Sequence, residues 1–398
     1  MEKAVGIICE FNPFHFGHAH LFSEVKKAFP DKGIVCVMSG NFVQRGSFAI
    51  QEKYSRAKAA VAMGADLVLE LPFPFSSLSA EGFASSAISI LRRIGICDTL
   101  AFGSEMDDAK ALLTCAENLF SPEFQKAFSK ALEENKGVGY PALRETVYGQ
   151  LFGNTKILSS PNASLGIEYL LASLSQNAAF SPFVIKRKGE GFSSMETKGE
   201  YLSATALRSM IKNGESLEGS VPEPVFSTIN EEIAGGRFPV FTEKLSPVLF
   251  YLLKTKSRKE LTSIYGFSSL CDRAKRFAGE CDDIEELVEK MKNATFTDSR
   301  IRRGLLALLC GTPRYVEKES PKYSMVLAAN EKGREMLSEM KKLSLIPTFT
   351  KPAHALRYDD IDVKKQFSRA ALSDEIYAMA FPKNQGEGFF LKKGPAIF

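Results

Sequence analysis

The chain of 398 residues contains no tryptophan and only four histidines. Its seven cysteines form no C-x-x-C pair and no Cys/His spacing suited to zinc, which argues against a disulfide framework or a zinc module. An odd, scattered set reads as reduced thiols in the cytosol. No run of 18 or more apolar residues occurs, so no membrane span is expected, and Met1 leads straight into a charged pair and a short strand rather than a secretory signal. There is no G-x-x-x-x-G-K-[ST], and no G-x-G-x-x-G follows the first apolar run, so neither common glycine loop holds a nucleotide. Repeats and low-complexity tracts are also missing. The net charge of +4 is mildly basic, which permits an RNA partner without requiring one.

What is present begins near the start. Three of the four histidines fall within Ile8-Cys9-Glu10-Phe11-Asn12-Pro13-Phe14-His15-Phe16-Gly17-His18-Ala19-His20. Ala4–Cys9 before them is a short, continuous apolar run, a strand buried on both faces. After them, apolar residues at 21, 22, 25 and 28 have helical spacing. Further strands are expected at Gly33–Met38, Asp66–Leu71, Thr99–Phe102 and Ser181–Arg187, with helices at Gln51–Met63 and Ala80–Ile94. This alternation predicts an α/β domain, a Rossmann-like parallel sheet with helices on both faces. The polar stretch Gly189–Gly199 reads as a loop and Gly214–Pro224 as a linker. Helical patterns dominate beyond it, with a strand at Tyr323–Ala329. Two domains follow, residues 1–215 and a mostly helical 225–398.

Ligands of an open α/β sheet bind at the carboxyl ends of its strands, where helix N-termini offer free N–H groups. His15 and His18 fall there, and Gly17 lets the backbone approach a phosphate. Two imidazoles one turn apart can stabilise charge on a phosphorus centre under attack. The plain alternative is a helix start with satisfied histidines. Elsewhere the residues leave alternatives open. Gly103 is either a strand-end glycine or room for an adenine or ribose. Asn162 is either an Asx-turn or a ligand contact, Arg187 either a solvated cation or a phosphate partner, and Ser203 either an N-cap or a donor. Asn41, Gln44 and Arg45 crowd one loop, suited to a carboxylate or an RNA phosphate, or simply solvated. Lys53 and Arg56 read as a solvated basic helix face, with phosphate contact as the alternative. The clusters Arg300-Ile301-Arg302-Arg303, Lys341-Lys342, Lys364-Lys365 and Lys392-Lys393 would bind an RNA backbone if they share a face.

His15-Phe16-Gly17-His18 after a first strand resembles the HxGH signature of the nucleotidyltransferase superfamily, related to class I aminoacyl-tRNA synthetases. The strings Glu10–His18, Ser39–Gly46 (SGNFVQRG) and Gly64–Pro72 (GADLVLELP) together resemble the bacterial tRNA(Met) cytidine acetate ligase family. So do Ser160-Pro161-Asn162 with Leu165–Tyr169, Ser203-Ala204-Thr205 with Arg208, and, more weakly, Asn330–Glu335. The resemblance spans most of the chain. It implies that acetate and ATP give acetyl-adenylate and pyrophosphate, and that the wobble cytidine of elongator tRNA(Met) then receives the acetyl group as N4-acetylcytidine. It implies catalytic roles for His15 and His18. It places ATP along Ile7, Ile8, Cys9, Glu10, Phe11, Asn12, Pro13, Phe14, His15, Phe16, Gly17, His18, Ala19 and His20, and at Gly103, Asn162, Arg187, Ser203, Thr205 and Arg208. The superfamily's phosphate-holding stretch is closer to I-S-S-T-x-I-R, so Ala204 removes one donor. Magnesium is expected to accompany ATP on phosphates and water rather than on a protein ligand set. Two other functions compete: a small-molecule adenylyltransferase, which has no need of the long second part, and a non-catalytic RNA-binding protein with a vestigial ATP site.

Overall fold

The computed structural model describes residues 3–135, 137–187, 202–293 and 295–398; the loop expected at Gly189–Gly199 lies outside them. The first half alternates as expected: β1 (Ala4–Cys9), α1 (Phe16–Ala28), β2 (Ile34–Ser39), α2 (Lys53–Ala62), β3 (Leu67–Leu71), α3 (Ala80–Ile94) and β4 (Cys97–Ser104). Helices α4 (Ala109–Phe120), α5 (Pro122–Glu134), α6 (Tyr140–Phe152), α7 (Lys156–Ser159) and α8 (Pro161–Ser175) precede β5 (Ser181–Lys186) and α9 (Ala204–Lys212). Then come α10 (Glu223–Ala234), α11 (Ser246–Thr255), α12 (Arg258–Thr262), α13 (Cys271–Phe277), α14 (Ile284–Met291) and α15 (Asp298–Leu309). The chain closes with β6 (Ser324–Ala329), α16 (Glu331–Leu343), β7 (Thr348–Phe349), α17 (Pro352–Arg357), α18 (Ile361–Ala378), α19 (Phe389–Lys392) and β8 (Ala396–Ile397).

The sheet runs β5-β4-β1-β2-β3-β6-β7, with β8 also on β6. Strands β1 to β5 pair in parallel. Every residue of β1, β2 and β3 is buried, as their unbroken apolar runs require of strands covered on both faces. Strand β1 sits between β2 and β4, so the carboxyl ends of β1, β4 and β5 lie side by side.

The second part of the chain does not form a separate core. Strand β6 joins β3 antiparallel, and β7 and β8 add to β6, so the sheet crosses the boundary expected at 215–225. All six residues of β6 are buried; such a strand needs an open sheet edge, and β3 provides it. Asp66 holds the junction. Its carboxylate accepts from the Ile34 N–H at 2.8 Å and from Asn330 Nδ2 at 2.8 Å. A Cβ on Gly333 would lie 2.0 Å from the Asp66 carbonyl oxygen, so glycine is required there. The Gly214–Pro224 stretch is also packed down, with Leu217 and Val221 buried.

Helix α2 overturns the expected solvated basic face, because Lys53 and Arg56 are both buried. Lys53 Nζ reaches Glu70 at 2.8 Å and Asp374 of α18 at 2.6 Å. Burial works against this charge, and the two carboxylates outweigh it, holding the lysine pKa above its ordinary value. Arg56 donates to the carbonyls of Gln51, Ser39, Gly40 and Glu10, tying the loops after β1 and β2 together. All seven cysteines are free thiols, six of them buried. Among the described residues no helix is long and apolar enough to cross a membrane.

Candidate active site

A cavity of about 1290 Å³ opens over the ends of β1, β4 and β5. That exceeds the usual range for one small ligand, roughly 300–1,000 Å³. Its floor carries Ile8, Cys9, Glu10, Phe11, Asn12, His15, His18, Gly103, Asn162, Arg187, Ser203, Thr205 and Arg208.

His15 is the N-cap of α1. Its Nδ1 accepts from the Gly17 N–H at 3.1 Å, and His18 Nδ1 accepts from the His15 N–H at 3.2 Å. Two histidines thus build the reciprocal cap that a Ser/Glu pair makes in other helices. Their rings stack at 3.8 Å. With each Nδ1 accepting, each neutral ring carries its proton on Nε2. Burial, reinforced by Arg187 and Arg208, lowers the His15 pKa to about 3. Burial, then His15 and Arg187, holds His18 well below the ordinary histidine value. Both are therefore neutral N–H donors at neutral pH, and the positive charge comes from the two arginines. A Cβ on Gly17 would lie 2.9 Å from the His15 ring, so this glycine makes room for the imidazole.

Phe11 and Phe14, both buried, pack on His18 at 4.9 and 5.3 Å between ring centroids. Phe11 adopts φ +49°, a left-handed conformation uncommon outside glycine and typical of constrained functional loops. Phe14 supports the site from behind, and Ile7, Pro13, Phe16 and Ala19 also stand outside the cavity wall. Gly17 and His20 line a narrow side recess together with His15, His18, Gly103, Arg187 and Ser203. A Cβ on Gly103 would press on Arg187 Cγ at 3.3 Å, so this glycine lets Arg187 lie across the strand end. Asn162 falls in the first turn of α8, and its Nδ2 donates to Glu105 at 2.6 Å. Glu105 also accepts from the Ala163 N–H, a helix-start carboxylate that sequence reading missed. Ser203 caps α9 by accepting from the Ala206 N–H. Arg208 donates to the Asn12 carbonyl at 2.8 Å and to Thr205 Oγ1 at 3.2 Å, pinning α9 to the histidine loop.

Gln44 and Arg45 line the cavity, whereas Asn41 does not. Asn41 is 1 % exposed, and its amide joins Asp374 to the Lys53 N–H. On the opposite wall the sequence pointed only to the Arg300–Arg303 cluster. That wall comprises Tyr265, Arg300, Arg303 and Arg314, with Ser and Thr side chains between them. Gly46, at φ +85°, lies so close to α15 that a Cβ would meet the Arg303 nitrogen at 2.3 Å. The expected Arg302/Arg303 pair splits. Arg303 faces the cavity, which Tyr265 also lines, while Arg302 is ion-paired to Glu285 and Asp298. Lys393 is likewise bound to the buried Glu52.

Comparison with known proteins places this geometry. The HIGH nucleotidyl transferase family model matches residues 2–389. A tRNA(Met) cytidine acetate ligase of Acetivibrio thermocellus is 36% identical over 95% of both chains, and one of Caldanaerobacter subterraneus subsp. tengcongensis is 35% identical over 95% of this chain and 96% of its own. Crystal structures of Thermotoga maritima TmcAL superpose on the whole chain and on 99% of theirs at 30% identity, with TM-score 0.93 for the apo form and 0.91 for the form bound with alpha-thio ATP. The chain therefore belongs to the HIGH nucleotidyl transferases and, among them, to the tRNA(Met) cytidine acetate ligase family.

Proposed function

We propose that this chain activates acetate with ATP and transfers the acetyl group to the wobble cytidine of elongator tRNA(Met), giving N4-acetylcytidine. The observation that carries the reading is the convergence of two neutral imidazole N–H donors with Arg187 and Arg208 on a cavity too large for a nucleotide alone. ATP lies over the ends of β1 and β4 with its phosphates toward the histidines and α9. An acetate oxygen attacks the α-phosphorus and pyrophosphate leaves. Charge builds on the phosphoryl oxygens in that transition state, where donors already in place cost no reorganisation. The Nε2–H groups of His15 and His18 meet that charge, and Arg187 and Arg208 draw the leaving pyrophosphate.

Acetyl-adenylate is needed because the cytosine N4 lone pair is delocalised into the ring and attacks unactivated acetate too slowly. Holding the mixed anhydride beside the amine supplies much of the second step. The 225–398 part takes the RNA, with Tyr265, Arg300, Arg303 and Arg314 on the wall that faces the adenylate. Gln44 and Arg45 sit between the two ends and suit the acetate carboxylate or an RNA phosphate. Among the described residues no group of three or more His, Cys, Asp or Glu side chains could hold a metal ion. Magnesium brought by ATP would rest largely on phosphate oxygens and water. With tRNA as substrate, the reaction belongs in the cytoplasm.

The test is ATP–pyrophosphate exchange with acetate, with and without tRNA, in wild type and His18→Ala. Acetate-dependent exchange should appear in the wild type and fall by about 100- to 1,000-fold in the variant, the usual loss for one transition-state donor. Exchange that ignores acetate, together with unmodified elongator tRNA(Met), would overturn the reading. Exchange driven by a phosphorylated cofactor precursor would point to a small-molecule adenylyltransferase instead.

A further inference from the structure

The acetyl-transfer half-reaction leaves one proton unaccounted for. When cytosine N4 forms its bond to the acetyl carbon, the C–O bond to the adenylate phosphate breaks and AMP leaves with the electron pair. The nitrogen must then lose a proton. An amine this weakly basic gains most from a base acting during attack rather than after it. The two histidines cannot serve, because each Nδ1 already accepts a backbone N–H and each Nε2 carries the ring's proton.

Five carboxylates line the cavity: Glu10, Glu81, Glu145, Glu168 and Glu317. Glu168 is ion-paired to Arg144. Glu81 opens α3, Glu145 lies on α6, and Glu317 follows the outer arginine Arg314. Glu10 alone stands at the end of β1, on the loop that carries His15 and His18 and beside Arg208. Its hydrogen bonds, from the Gln44 N–H at 2.6 Å and from Ser39 Oγ at 3.4 Å, both end on Oε1. That fixes the carboxylate and leaves Oε2 for a proton.

We infer that Glu10 is the proton acceptor for acetyl transfer, taking the N4 proton on Oε2 as the C–N bond forms and releasing it to solvent with the product. This rests on the acetate-ligase reading and deepens it. The groups around Glu10 agree with the role. Arg208 on α9, Arg56 on α2 and Arg45 on the loop after β2 are cationic, while Tyr169 on α8 and Cys9 on β1 are neutral acids whose pKa values are held up by burial. Burial raises the Glu10 pKa against the pull of the Gln44 hydrogen bond and the arginines, which makes the carboxylate a stronger base than a solvated one. A base acts only when deprotonated, so transfer should rise with pH through a limb lying above the ordinary carboxylate range.

The experiment separates the half-reactions in Glu10→Gln, which keeps an oxygen for the Gln44 and Ser39 hydrogen bonds. Acetate-dependent ATP–pyrophosphate exchange, single-turnover transfer to tRNA across the acid-to-neutral range, and thermal unfolding are measured on wild type and variant. Transfer should fall by about 100-fold or more, far more than exchange, and should lose its acid limb. Glu10→Asp should keep the limb at a reduced rate. Equal loss of both half-reactions, or an acid limb that survives in Glu10→Gln, overturns the inference. A wild type without acetate-dependent exchange overturns the acetate-ligase reading, and this inference with it.

Discussion

Two sets of cations lie on either side of the loop after β2, and they behave in opposite ways. Lys53 and Arg56 are buried and engaged, the first by Glu70 and Asp374, the second by four backbone carbonyls. Arg187, Arg208, Arg300, Arg303 and Arg314 line one cavity and form no ion pair among the described residues. The first set joins parts of the chain and the second faces the cavity. Charge in a sequence therefore says little about function until its partners are known, because a cation with two carboxylates has no capacity left for a phosphate.

The contrast can be broken most severely at Lys53. Lys53→Met leaves Glu70 and Asp374 as uncompensated buried carboxylates and should cost about 3–5 kcal/mol. Denaturant unfolding checks this, and a small loss would mean the cluster is not the clamp described. Next, Arg187→Ala should barely move stability but weaken ATP binding by about 1.5–3 kcal/mol, the range for a hydrogen bond to a charged group. Calorimetric titration with ATP reads it, and matching losses of stability and affinity would place Arg187 with the structural cations.

His15, whose pKa Arg187 and Arg208 help to lower, gives a pH signature of the cavity. Its folded pKa is about 3 against 6.5 for a free histidine, so between these values the unfolded chain binds a proton that the native one refuses. Stability from this group should fall as pH drops through that window, by about 1.4 kcal/mol per pH unit at most. His15→Asn retains a good N-cap and should reduce the slope, leaving the share that His18 contributes; an unchanged slope would show that His15 protonates freely. The smallest effect separates neighbours on one helix. Arg303→Ala should lower the salt slope of tRNA binding by about 1, whereas Arg302→Ala should leave that slope alone and lose only modest stability with its ion pairs. Equal salt slopes would undo the split.

The sequence was legible where the physics is local. The apolar runs of β1 to β4 read directly as strands, and the histidine loop with its neighbouring strings pointed to the end of the sheet where the cavity opens. Three features were hidden because each depends on a distant partner. Lys53 looked solvated because Asp374, which buries it, lies on α18. Strand β6 looked like part of a second domain because only the open edge of β3 shows where it belongs. Arg302 and Arg303 looked equivalent, although consecutive helical residues point about 100° apart, and only the packing of Gly46 on α15 reveals which faces the cavity. Asn41 shared a loop with Gln44 and Arg45 but turns into the Lys53 cluster, a difference of direction that spacing does not encode.

The antiparallel union of β3 with β6 also bears on how the molecule is made. During synthesis β1 to β5 emerge long before Ser324, and until then β3 presents a row of unpaired backbone groups beside a buried apolar face. Such an edge invites pairing with another chain. The parallel strands that carry the histidine loop are therefore complete in sequence well before their edge is covered, and the segment that closes the edge is the one that follows the arginine wall.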